Sequence, residues 1–131
     1  MAIERILATA SFPAAADLRT KQYRVVCIGS TGVDLPKTAI TAIPLGILQN
    51  APNTGEEAVV APLGCGGVSK AIANGLIAVG AIVALEWVDD VGDSGKVQGA
   101  AATQYPIGQV VVASGAEDDI LSVLLAPMSV V

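Results

Sequence analysis

Three carboxylates fall within five positions at Asp89-Asp90-Val91-Gly92-Asp93. Hard cations such as calcium take several carboxylate oxygens at once. This run lacks the Asp-x-Asp-x-Asp-Gly alternation and the distant bidentate Glu of a calcium loop, so it reads as a solvated hairpin tip. Glu117-Asp118-Asp119 reads the same way from its place between two apolar runs. Gly92-Asp93-Ser94-Gly95-Lys96 has the outline of half a nucleotide-binding loop. A P-loop needs four residues between its glycines and a Ser or Thr after the lysine. Here two residues separate the glycines and Val97 follows, so the phosphate reading fails on spacing.

Nucleophilic chemistry fares no better. The chain has no histidine, which removes the commonest general base and metal ligand together. Ser69-Lys70 lacks the Ser-x-x-Lys spacing and reads as ordinary surface. Cys27 and Cys65 sit in apolar or Gly-rich contexts without CxxC spacing, which fits small buried residues in a reducing compartment better than a disulfide. Either thiol acting as a nucleophile would lack an evident base partner. The expectation is a protein that is not an enzyme, with no cofactor and no metal.

The elements that would hold such residues are strands. One pattern occurs twice, 62 positions apart: Pro44-Leu45-Gly46-Ile47-Leu48, a turn at 52–57 and the apolar run 58–63, then Pro106-Ile107-Gly108-Gln109-Val110-Val111-Val112, a turn at 114–119 and the run 120–127. Val, Ile and Leu runs joined by small polar and acidic tips predict two β-hairpins. Gln22 to Ile28 and Ala81 to Val88, with Trp87 as a core aromatic, predict two further strands. Val68 to Leu76 fits a strand or the one short helix, and the helical reading is preferred. Residues 1–18 read as an arm, being small and aperiodic with Phe12 as their one aromatic, either loose or ordered by docking. Residues 19–131 form the domain. The fold class expected is mainly β, a small compact β-barrel with an extended N-terminal arm.

Composition bounds the partners. With 53% apolar residues and 15% charged in 131, the chain is too small to hide all its apolar surface, which predicts self-association. Aromatics at 3% leave the core to Ala, Val, Ile and Leu. A net charge of −5 argues against nucleic acid. The charge is uneven: the first 40 residues carry five basic and three acidic side chains, the rest two and nine. The N-terminus does not read as a signal peptide, and Ala71 to Val88, interrupted by Asn74, Gly75, Gly80 and Glu86, does not read as a membrane span.

From Gln22 onward the chain resembles the tailed-bacteriophage capsid cement, or head decoration, proteins. The likeness rests on Ile28-Gly29 ending the first strand, Pro44-Leu45-Gly46-Ile47-Leu48 before an acidic hairpin, Gly75 to Val83, Gly95-Lys96-Val97 with Tyr105-Pro106-Ile107-Gly108-Gln109-Val110, and the last strand Ile120 to Leu125. The resemblance implies a β-tulip barrel made in the host cytoplasm that sits as homotrimers on the outside of the virion. There it would bind the major capsid protein and clamp neighbouring subunits of the expanded head. It also implies capsid contact by the arm through Ile3, Arg5, Ile6, Leu7, Phe12 and Leu18. The alternative is a cytoplasmic β-barrel module that binds a small ligand or a protein.

Overall fold

The computed structural model describes residues 2–36, 43–86, 94–101 and 104–126. It is 50% strand and 3% helix, so the mainly β expectation holds. The strands are β1 (Ala10–Pro13), β2 (Val25–Gly29), β3 (Gly32–Asp34), β4 (Gly46–Leu48), β5 (Glu57–Pro62), β6 (Val68–Asn74), β7 (Ile82–Leu85), β8 (Val97–Gly99), β9 (Pro106–Val112) and β10 (Glu117–Leu125). They form a five-stranded sheet in the order β1-β5-β4-β2-β3 and a closed barrel in the order β10-β6-β8-β7-β9. The two edges of the open sheet meet at one parallel bridge between Ala14 and Val33, where the Ala15 N–H donates to the Val33 carbonyl at 2.9 Å.

Each copy of the sequence repeat builds one hairpin, β4–β5 in the sheet and β9–β10 in the barrel, both antiparallel. The repeated glycine has the same task in both. A Cβ on Gly46 would lie 2.2 Å from the Ala61 carbonyl oxygen, and one on Gly108 would lie 2.0 Å from that of Leu124. At each place the partner strand passes too close for any side chain.

Alternation decides what each face buries. In β2, β4 and β5 both faces are covered. Val25, Ile47 and Ala61 join the barrel core of Ala71, Val83, Ile107, Leu121 and Val123, while Val26, Leu48 and Val60 turn to a second core with Ala14, Leu18, Val33 and Leu35. Strands buried on both faces read as unbroken apolar runs, and this accounts for part of the high apolar content. Tyr23 stitches the two systems together: its N–H donates to the Leu48 carbonyl and its own carbonyl accepts from the Ile72 N–H. It does so at φ 67, a left-handed conformation uncommon for a bulky residue.

Two expectations need correction. Val68 to Leu76 is not the helix: Ser69, Ala71 and Ala73 point inward from β6 while Val68, Lys70 and Ile72 point outward, the period of a strand. Among the described residues the one helical piece is a 3-10 turn at Leu63–Cys65. Nor do residues 1–18 stand apart as an arm. β1 pairs with β5 from Ala10–Val60 to Pro13–Glu57, and Leu18 is only 1% exposed. Small side chains bury little by themselves, but pairing and the second core supply what the segment lacks. The expectations for Trp87 and Asp89 to Asp93 lie outside the described residues.

Candidate interaction surface

Side-chain parity in the barrel sends Leu121, Val123 and Leu125 of β10 into the core and Ile120, Ser122 and Leu124 outward. The outward residues meet Ile72, Lys70 and Val68 of β6 across the antiparallel ladder. On the other side Leu124 faces Gln109 of β9, which faces Ile82 of β7. A mostly apolar row thus crosses four strands of the barrel wall, with Ile120 and Leu124 exposed on it. Apolar residues on both faces of β10 are the signal in the sequence that the second face has something to meet.

The N-terminal segment lies beside this row. Arg5 and Val68 exchange two backbone hydrogen bonds, at 2.7 and 2.8 Å. The Ser122 hydroxyl accepts from the Ile3 N–H at 2.6 Å and donates to the Ile3 carbonyl at 2.7 Å. Of the six arm residues picked from sequence, Ile3, Arg5 and Leu7 face solvent, Leu7 at 73% exposure. Ile6 packs partly against the barrel core and Phe12 partly against the second core. Leu18 belongs to that second core and offers no surface to a partner.

A second exposed apolar group lies on the turn between β6 and β7. Leu76 is 77% exposed and Val79 shares the turn. The turn is pinned from within, because the Ser114 hydroxyl accepts from the Ile77 N–H at 3.0 Å and donates to the Gly75 carbonyl at 2.8 Å. Fixing an apolar turn by two hydrogen bonds lowers the entropy lost if it docks.

Residues that sequence reading weighed for chemistry and set aside take structural roles. Lys96 is buried, its ammonium 3.0 Å from the Glu117 carboxylate and 2.9 Å from that of Asp118. Glu117 and Asp118 are exposed, as expected of a tip, but they open β10 and hold a buried cation. Among the described residues no three His, Cys, Asp or Glu side chains gather as a metal site. A hollow of about 280 Å³ at the β2–β3 hairpin is lined by Cys27, Ile28, Ser30, Thr31 and Asp34 and is open to solvent.

Burial, with Asp34 adding to it, pushes the Cys27 thiol up to about 11. At pH 8 this leaves about 0.1% thiolate, against roughly a quarter for an ordinary cysteine of pKa about 8.5. In a Cys65→Ser chain, iodoacetamide should therefore modify Cys27 about 100-fold more slowly than it modifies a cysteine peptide at pH 8. Equal rates would show that the thiol is not desolvated.

No family model, curated protein or solved structure matches the chain.

Proposed function

We propose that this chain is a structural virion protein, a phage head decoration protein that binds the outer surface of the capsid as homotrimers and clamps neighbouring major capsid protein subunits. The observation that carries the reading is the apolar outer wall of the barrel, where Ile120 and Leu124 lie exposed next to the N-terminal Ile3 and Leu7. Exposed apolar positions that cluster on a small domain are characteristic of surfaces that meet protein. The sequence resemblance supplies the kind of partner, and the small closed barrel is compatible with it.

The ligand-binding alternative draws less support. The barrel interior is filled by Ala71, Ala73, Val83, Leu85, Val97, Ile107, Leu121 and Val123, all buried, which leaves the small-molecule reading to open surface hollows such as those at the β2–β3 hairpin and beside Phe12 of β1. A decoration protein works mechanically. Many modest interfaces, repeated by symmetry, act together through avidity and raise the barrier to rupture of the shell.

In this arrangement the barrel wall joins copies around the threefold axis, and the solvent-facing side chains of Ile3, Arg5 and Leu7 meet the capsid. The test is co-sedimentation with expanded, undecorated heads, alongside analytical ultracentrifugation of the free and released protein. Leu124→Glu should disperse the trimer and lower head occupancy at least about tenfold, since a charge in an apolar interface costs more than 1.4 kcal/mol. A native chain that stays monomeric after release from heads, or that never sediments with them, overturns the reading.

A further inference from the structure

We propose that the N-terminal strap formed by residues 3–7 exchanges between copies of this chain, seating on the barrel of a second molecule in the position it holds on its own. The proposal requires neither a capsid nor a threefold arrangement.

The receptor is built for a strand. Val68 presents its N–H and C=O to Arg5 as a paired bridge. Ser122, fully buried on the outer wall, grips both the N–H and the C=O of Ile3 with one hydroxyl. Gly67 keeps the path clear, since a Cβ there would lie 2.4 Å from the Arg5 carbonyl oxygen and 3.0 Å from the Ile6 Cα. These contacts read backbone and not side-chain identity, and they join positions as far apart as 3 and 122 in the chain. An identical segment arriving from another copy satisfies every one of them.

The tether is built to let go. From Ile6 to the start of β1, residues 6–9 make no hydrogen bond among the described residues. Leu7, Ala8 and Thr9 are exposed. Exchange breaks the Ile3 and Arg5 contacts in one molecule and reforms them in the next, so the enthalpy nearly cancels. The difference is one of concentration, with the tethered strap holding an effective concentration on the order of millimolar. Reciprocal seating closes a pair or a ring, which makes exchange of identical elements a low-cost route to an oligomer.

The test uses full-length chains with Cys27 and Cys65 changed to Ala. A chain carrying both Arg5→Cys and Val68→Cys reports the strap seated in its own molecule, because the two positions face each other across the bridge and should oxidise to an internal disulfide. Chains carrying one substitution each are then mixed, incubated and oxidised. The expected result is a covalent Arg5→Cys/Val68→Cys heterodimer whose yield rises about tenfold as the concentration goes from about 0.05 to about 0.5 mM, approaching the effective concentration of the tethered strap. Pairing Arg5→Cys with Lys70→Cys, two residues out of register, should give at least about tenfold less, as strand register requires. Three results would overturn the proposal: no heterodimer while the doubly substituted chain closes internally, equal yields in and out of register, or failure of the doubly substituted chain to close at all.

Discussion

A chain lacking residues 1–18 is expected not to fold. The deletion removes β1, which pairs with β5 over four residues. It also removes Ala14 and Leu18, two members of the second core, and the backbone bond from the Leu18 N–H to the Pro52 carbonyl. The single change Leu18→Ala isolates the packing part of this effect. A fully buried leucine cut to alanine costs about 3 kcal/mol, the lost transfer energy plus a cavity. Against a total stability of about 5–15 kcal/mol, that is a large fraction. Urea unfolding should show a midpoint lower by about 1–2 M at an unchanged slope. Leu7→Ala, at an exposed position in the same segment, should stay within about 0.5 kcal/mol of the parent. A truncated chain that unfolds cooperatively at the parent midpoint would disprove the packing of this segment.

The contrast between Leu18 and Leu7 shows where sequence reasoning stops. Both are leucines in a stretch of small residues without periodicity, and nothing local separates them. Leu18 differs because β5 and residues 26, 33, 48 and 60, distant in the chain, meet it in the folded sheet. The hairpins lie at the other extreme. Their strands, their acidic turns and even the shared glycine are local features, so β4–β5 and β9–β10 were legible. Val68 to Leu76 falls between. Ala, Ser and Lys suit a helix about as well as a strand, and only the ladder with β10 selects the strand.

The candidate surface was legible only in part. The resemblance implies contact by the arm residues Ile3, Arg5 and Leu7, and these three face solvent. Nothing singles out Ile120 and Leu124 in the sequence, because an unbroken apolar run gives no sign of which residues a closed barrel turns outward. Closure fixes that parity, and closure depends on the pairing of β10 with both β6 and β9. Lys96, where the phosphate reading fails on spacing, shows the opposite limit. Spacing excludes a phosphate loop but gives no hint of a partner, whereas the fold buries the side chain and brings Glu117 and Asp118 to it from twenty-odd residues away.

That ion cluster should respond unequally to changes on its two sides. The Lys96 side chain is 3% exposed, against 57% for Glu117 and 68% for Asp118. Changing both acids to amides, Glu117→Gln with Asp118→Asn, strips two carboxylates from a buried ammonium whose desolvation cost stays. The expected loss is about 2–3 kcal/mol, the low end for breaking a buried pair because both acids are more than half in water. Lys96→Met removes the buried charge and keeps an apolar stem of similar length, while the two acids that remain can hydrate. Its stability should stay within about 1 kcal/mol of the parent. Urea unfolding at neutral pH and two salt concentrations measures both variants, and the loss in the double amide should persist at high salt because the ammonium is shielded from counterions. Equal losses from the two sides, or a loss that vanishes in salt, would mean that Lys96 is hydrated and that the start of β10 is held by its strand pairing alone.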